Sequence, residues 1–203
     1  MGRSAGLYLA LGERSHKEGP GLSLRPDAEK DTRGNLPTPA PKAAGDGEKP
    51  PVQPIRQTVT VRSDPAGAFD LFTERMGTWW PVDEYSRAVS EFENEEVQVA
   101  RLEFQARMGG RILEHTSDGR ILPWAEVIAW HPPHSVIMAW RPHSEPEPPT
   151  EVEVTFTPQD GGTLVELEHR GWERLSQAFR EGLYEIYARG WITTLECFAA
   201  AAH

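Results

Sequence analysis

Lysine is missing from residues 55–203, where all 13 basic side chains are arginine. A lysine that forms a Schiff base or acts as a general base is therefore excluded from that part of the chain. Cysteine is almost as scarce, because Cys197 is the only one and cannot form a disulfide within the chain. A lone cysteine is typical of a reducing compartment, and we expect a cytoplasmic protein.

Long apolar runs are absent as well. No segment approaches the roughly 20 apolar residues that a membrane-spanning helix needs, and the short apolar run at residues 6–11 is shorter than the core of a signal peptide. The net charge of -10 disfavours binding to phosphate-rich surfaces. We therefore expect neither nucleic acid nor a membrane as a partner.

Sequence motifs of the common enzyme classes are also missing from residues 55–203. This region contains no GxGxxG, P-loop, HExxH, GxSxG or CxxC pattern. These absences argue against nucleotide, zinc-protease, serine-hydrolase and dithiol chemistry. The sequence predicts no cofactor and favours a binding protein over an enzyme.

The composition divides the chain at about residue 54. Residues 1–54 hold eight of the 18 prolines and a single aromatic residue, Tyr8. Such a segment buries too little apolar surface to offset its ordering entropy. We predict a disordered tail or linker over 1–54 and one folded domain over 55–203.

Periodicity predicts the elements of that domain. A strand at 57–61 is followed by a helix over 65–76, with Ser63 or Asp64 as its N-cap, and Trp79-Trp80-Pro81 then forms a short turn. Further strands are predicted at 97–105, 111–116, 121–130, 135–140, 151–157 and 163–169. Asp-Gly and Asp-Gly-Gly turns between neighbouring strands are typical of hairpins, so the sheet should be an antiparallel meander.

The chain ends in a long amphipathic pattern. Apolar residues recur at steps of three or four from Leu175 to Phe198, over roughly seven helical turns. One sheet and one long helix bury each other's apolar faces only if the sheet curls around the helix. We therefore predict an α+β fold with a curved antiparallel sheet of six to seven strands wrapped around a long C-terminal helix.

Several motifs in this order resemble a known family. They are the run WAEVIAWHPP at 124–133 that closes at Trp140, the run WWP at 79–81, GGR at 109–111 with Glu114, GTLVELEHRGWE at 162–173, and GW at 190–191 with Leu195. Together they resemble the branch of the SRPBCC (START-like) superfamily named for the activator of heat-shock protein 90 ATPase. The resemblance covers nearly the whole domain and leaves out residues 1–54.

The resemblance implies a helix-grip fold with an apolar cavity between the sheet and the C-terminal helix. Among relatives, the resemblance implies either binding of a small hydrophobic or aromatic molecule or a polyketide cyclase or aromatase-like activity. A third alternative, an interaction with a chaperone, follows from the family's name only and has no support from particular residues. We expect the first, with tryptophans as the pocket lining, since all seven tryptophans fall in the domain. The predicted lining residues are Trp80, Trp124, Glu126, Trp130, Met138, Trp140, Tyr187 and Trp191.

Two residues are candidates for acid or base catalysis, if the domain is an enzyme. On a regular strand Glu126 shares a face with Trp124 and Trp130, so its carboxylate either enters the cavity or is turned outward by a bulge. His169 is the other candidate, and either group must come within hydrogen-bond reach of a substrate.

A metal site is the weaker alternative. His131 and His134 flank two prolines, and His115 or His143 could be a third ligand, but a zinc site needs three or four converging ligands. A surface turn explains the same residues, and the sequence predicts no metal.

The size of the cavity is limited by its energetic cost. A dry void of ~300 Å³ at ~24 cal/mol per Å³ would cost roughly 7 kcal/mol, which is comparable with the whole stability of a domain. The tryptophans must therefore shrink the cavity, or water or a ligand must fill it.

Overall fold

The computed structural model describes residues 52–91, 96–141 and 147–202. Most of the predicted tail lies outside these ranges. Residues 52–54, which the sequence assigned to the tail, lie against the last helix, because the Tyr184 hydroxyl donates to the Gln53 carbonyl at 3.1 Å.

Seven strands and three helices make up the described part of the chain. The strands are β1 Ile55–Val61, β2 Val99–Phe104, β3 Arg111–Thr116, β4 Ile121–His131, β5 Ser135–Trp140, β6 Thr150–Gln159 and β7 Gly162–Arg170. The helices are α1 Pro65–Phe72, α2 Arg87–Glu91 and α3 Gln177–Ala201, with short 3₁₀ turns at Met76–Thr78 and Trp172–Arg174.

The strands form one antiparallel sheet in the order β1-β7-β6-β5-β4-β3-β2. All strands from β2 to β7 are consecutive hairpin partners, and β1 closes the far edge beside β7. The sheet curls into a half-barrel against α3, which spans 25 residues. The predicted helix-grip α+β fold is confirmed.

The first helix ends earlier than the periodicity predicts. The start of the helix agrees with the prediction, since Asp64 is its N-cap and the Asp64 carboxylate accepts from the Gly67 N–H at 2.8 Å. At the other end the buried Thr73 hydroxyl donates to the Phe69 carbonyl at 2.8 Å, and the chain then tightens into the 3₁₀ turn. A threonine side chain competes with the backbone for that carbonyl, which favours a helix end.

Strand β4 contains two bulges that break its alternation. Trp124 is the bulged residue opposite β3: it has no pairing partner there, because Ile112 pairs with Ala125 and Leu113 with Pro123. Ile128 is in the same way the bulged residue opposite β5. As a result Trp124 and Ala125 are both buried, although they are adjacent in the sequence. Bulges of this kind bend a strand and re-aim its side chains.

No helix in the described ranges is both long enough and apolar enough to cross a membrane.

A test of this fold lies in the connection between β2 and β3. A Cβ atom at Gly110 would lie 1.9 Å from the Gln105 carbonyl oxygen, whereas one at Gly109 would meet nothing within 4 Å. We expect Gly110→Ala to lower the free energy of unfolding by about 3 kcal/mol through overpacking. The matched Gly109→Ala should cost only about 1 kcal/mol, since φ there is +69°. Urea unfolding measures both, and equal losses would contradict this turn geometry.

Candidate functional site

The candidate site is a pocket between α3, the strands β4 and β5, and the segment that precedes α2. Its water-accessible volume is about 60 Å³, within a wider space of about 540 Å³ that opens to solvent. A water molecule needs roughly 10–15 Å³ of water-accessible volume, so the pocket holds several waters or a few ligand atoms. The lining residues are Trp80, Glu84, Tyr85, Ser86, Arg87, Trp124, Trp140, Ile186, Tyr187, Gly190, Trp191 and Thr194.

Four tryptophans form the wall of this pocket. The Trp80 ring lies at the centre, with its centroid 5.2 Å from Trp124, 6.1 Å from Trp140 and 5.9 Å from Trp191. These separations are those of favourable tilted and edge-to-face aromatic pairs. Because each ring is more than 90% buried, the area that remains exposed is small.

Each of the four indole N–H groups donates to an acceptor of the protein. Trp80 donates to the Tyr85 carbonyl at 2.7 Å and Trp140 to the Tyr187 hydroxyl at 3.1 Å. Trp191 donates to His169 Nδ1 at 3.0 Å, and Trp124 donates to the Glu114 carboxylate at 2.9 Å. These bonds fix the ring orientations and leave ring carbon, rather than indole N–H, as the tryptophan surface in the pocket.

Glu114 anchors the segment that covers the pocket. Its fully buried carboxylate accepts from the backbone N–H of Arg87 at 2.9 Å and of Ala88 at 2.7 Å, in addition to the Trp124 indole. Burial raises the pKa of Glu114, and the three N–H donors oppose that rise. The helix α2, which periodicity did not predict, therefore starts where a carboxylate from β3 satisfies its first amides.

The Arg87 side chain joins this segment to β4. Its guanidinium contacts Glu91 with Nε at 2.8 Å and Nη2 at 2.6 Å, and Nη1 donates to the Pro123 carbonyl at 2.8 Å. The cation is thus paired within α2 and also bound to the strand that carries Trp124.

His169 does not line the pocket. It is fully buried behind Trp191, which donates to its Nδ1, so its Nε2 carries the proton and donates to the Thr150 hydroxyl at 2.8 Å. Burial lowers the pKa of His169 to about 3. With both nitrogens bonded inside the core, His169 cannot reach a substrate in the pocket, and the prediction of an acid/base role is wrong.

Glu126 faces away from the pocket. Its side chain is 51% exposed on the outer face of the sheet, with one carboxylate oxygen 3.6 Å from Arg111 Nε. The bulge at Trp124 shifts the alternation by one residue, so the carboxylate turns outward while Trp124 turns inward. The prediction of a cavity carboxylate at this position is wrong.

Of two other predicted lining residues, Met138 belongs to the buried core and the half-buried Trp130 packs against that core. Trp130 packs edge-on to Phe69 with centroids 4.9 Å apart, beneath α1, and Met138 is fully buried. Neither lines the pocket. Five predicted residues do: Trp80, Trp124, Trp140, Tyr187 and Trp191.

The predicted lining did not include the segment 84–87 or three residues of α3: Ile186, Thr194 and Gly190, which entered only as part of the GW motif at 190–191. The α3 residues follow a signal that was available, because 186, 190 and 194 are spaced by four and two of them are small. Small residues on an otherwise bulky stripe leave room, and Gly190 lets the Tyr85 ring approach, with Cε1 3.4 Å from where a Cβ would lie. The segment 84–87 offered no such pattern.

The histidines considered for a metal are separated in the structure. His131 and His134 lie at the exposed ends of the turn between β4 and β5, where the His134 N–H donates to the His131 carbonyl. His115 contacts Glu103 at 3.0 Å on the outer sheet face. His143 lies outside the described residues, within which no three His, Cys, Asp or Glu side chains converge as a metal site would require.

Comparisons with known proteins agree with this fold. Residues 62–202 match the family model described as Activator of Hsp90 ATPase homolog 1-like protein. No curated protein matches the chain.

Similar solved structures include the Aha1 dimer of Colwellia psychrerythraea. It is 15% identical, with a TM-score of 0.52, and the match covers 74% of this chain and 96% of that one. A protein of Chromobacterium violaceum is 18% identical, with a TM-score of 0.50 and coverages of 73% and 96%. The anthrahydroquino-gamma-pyrone synthase Txn09 is 27% identical, with a TM-score of 0.48 and coverages of 74% and 97%.

The anchoring role of Glu114 can be tested with Glu114→Gln. An amide has one acceptor oxygen where the carboxylate has two, and its NH₂ group would face N–H donors. We expect a loss of about 1–3 kcal/mol in the free energy of unfolding, from donors left unsatisfied in the core. Glu126→Gln on the outer face is the matched control and should change stability by less than about 0.5 kcal/mol. Equal urea midpoints for the two variants would contradict the anchoring role.

Because His169 is buried and neutral, we predict that the free energy of unfolding depends on pH. Its pKa is about 3 in the folded protein and 6.5 without burial. The unfolded chain therefore binds a proton that the folded protein does not, and stability falls as the pH drops from about 6.5 towards 3. The slope from this group is about 1.4 kcal/mol per pH unit.

Urea unfolding between pH 7 and pH 4.5 measures that slope. His169→Gln should remove it, whatever the variant does to stability at neutral pH, and the exposed His134→Gln should retain it. A wild-type slope that survives in His169→Gln would show that other groups cause the pH dependence.

Proposed function

This chain belongs to the Activator of Hsp90 ATPase homolog 1-like family, and we propose that it binds a small hydrophobic or aromatic molecule. The observation that carries the proposal is the pocket beneath the segment 84–87, which four tryptophans and Tyr187 line. A concave site with apolar walls and a few polar groups is the usual form of a small-molecule site.

The location of the pocket supports the proposal. It lies where α3 meets the concave face of the curled sheet, and its wall is made by side chains from four separate parts of the chain. The hydrogen bonds of the indole groups and of Glu114 hold these parts in place before any ligand arrives. A preformed pocket lowers the entropy that binding must overcome.

An enzymatic function that uses Glu126 or His169 is not part of the proposal. The Glu126 carboxylate lies on the opposite face of the sheet, and both ring nitrogens of His169 are bonded within the core. Association with a chaperone, which the family description suggests, stays a prediction.

Filling the pocket provides the test. Ile186 lines the pocket and Ile192 is 46% exposed on the same helix. We expect Ile186→Trp to weaken the binding of small aromatic probes such as benzyl alcohol and 2-naphthol by roughly tenfold or more, because the larger side chain occupies their space. Ile192→Trp should leave the affinity unchanged.

Isothermal titration calorimetry measures the affinities, and native mass spectrometry of the purified wild type detects a retained ligand. If no probe binds and no ligand is retained, the proposed function is wrong. If the probes bind equally to both variants, binding takes place outside this pocket.

A further inference from the structure

One acidic residue of the pocket lining, Glu84, has no oppositely charged partner among the described residues. Glu84 lines the pocket and is exposed, and its carboxylate has no hydrogen-bond or ion-pair partner among the residues that the structure describes. Its backbone N–H donates to the Pro81 carbonyl at 3.0 Å, which fixes the turn that carries it. A carboxylate held beside an apolar pocket favours a ligand of opposite charge.

The nearest cation of the lining is already compensated. The Arg87 guanidinium contacts Glu91 at 2.6 Å and 2.8 Å and donates to the Pro123 carbonyl. A second carboxylate, that of Glu114, lies behind Trp124 and is bonded to its indole. The charge around the pocket is therefore negative, within a chain whose net charge is -10.

The aromatic wall is suited to a cation as well. Because the four indole N–H groups donate to protein acceptors, the tryptophans offer ring carbon, and the faces of aromatic rings carry partial negative charge. A cation within about 6 Å of a tryptophan centroid is attracted, more strongly where water is excluded. Trp80, Trp140 and Trp191 lie within 6.1 Å of one another, so one group in the pocket can contact several rings.

The type of cation follows from hydrogen bonding. A primary ammonium brings three N–H donors, each of which needs an acceptor on burial. The indole rings provide no such acceptors, which leaves only the Glu84 carboxylate and the hydroxyls of Ser86, Tyr187 and Thr194 in the lining to meet three N–H groups at once. A quaternary ammonium has no N–H group to satisfy, and its methyl groups can pack on the rings while the charge remains.

We propose that this pocket binds the head group of a small quaternary ammonium compound, with Glu84 as its counter-charge and the tryptophan cluster as its wall. The proposal rests on the binding function proposed above and specifies the ligand class. The water-accessible volume of about 60 Å³ fits a compact head group, and the open side of the pocket leaves space for the rest of the molecule.

The test compares choline with 3,3-dimethylbutan-1-ol, in which carbon replaces the charged nitrogen at nearly the same size and shape. Calorimetric titration of the full chain should give an affinity for choline that is roughly tenfold higher, the order of one cation–π contact with a partly desolvated ring plus a counter-charge. Raising the salt concentration should reduce that preference.

Glu84→Gln is the decisive variant and Asp83→Asn its matched control, because Asp83 is exposed next to Glu84 and does not line the pocket. We expect Glu84→Gln to remove most of the preference for choline and to leave the affinity for the alcohol unchanged. Asp83→Asn should retain the wild-type preference. Both positions are exposed, so neither change should disturb folding.

The outcomes separate this inference from the proposed function. If the alcohol binds as tightly as choline, the cationic ligand class is wrong while the binding function stands. If choline is preferred equally by wild type and Glu84→Gln, the role of Glu84 is wrong. If neither compound nor any neutral aromatic probe binds, both proposals are overturned.

Discussion

A buried tryptophan carries one N–H group that must find an acceptor, and this requirement organises the pocket. The Trp80 indole holds the turn at Tyr85, and the Trp124 indole shares the carboxylate that starts α2. Trp140 and Trp191 connect the sheet to α3. The hydrogen bonds that satisfy the rings therefore also join the segment 84–87, the strands and α3 around one space.

The two bulges of β4 determine which of its side chains face the pocket. A regular strand would direct Trp124 and Glu126 to the same face, and one additional residue sends them to opposite faces. Burying the carboxylate among rings without a partner would be costly, whereas outside the sheet it is solvated beside Arg111. Glu114 is the acid that is buried, and three N–H donors compensate it.

The small size of the pocket follows from the same packing. At ~24 cal/mol per Å³, leaving the water-accessible volume of about 60 Å³ dry would cost about 1.4 kcal/mol, against roughly 7 kcal/mol for a void of ~300 Å³. Because the tryptophans fill most of the space, the free-energy cost of a preformed site is small compared with the free energy of unfolding of an ordinary domain. They also limit what the site can enclose, which favours a compact group over a large ring system.

The sequence by itself determined the strands, the long helix and the curled sheet, because periodicity and turn residues are local properties of the chain. It also indicated five of the pocket residues, since large aromatic side chains on the inner faces of β4, β5 and α3 must meet inside a half-barrel, and Trp80 in the turn before α2 joins those four. The tertiary structure alone decided that Glu126 lies outside, that His169 is sealed in the core, and that α2 and Glu84 border the pocket. These outcomes depend on bulges in strand pairing and on hydrogen bonds between residues 10 to 47 positions apart, which no local pattern records.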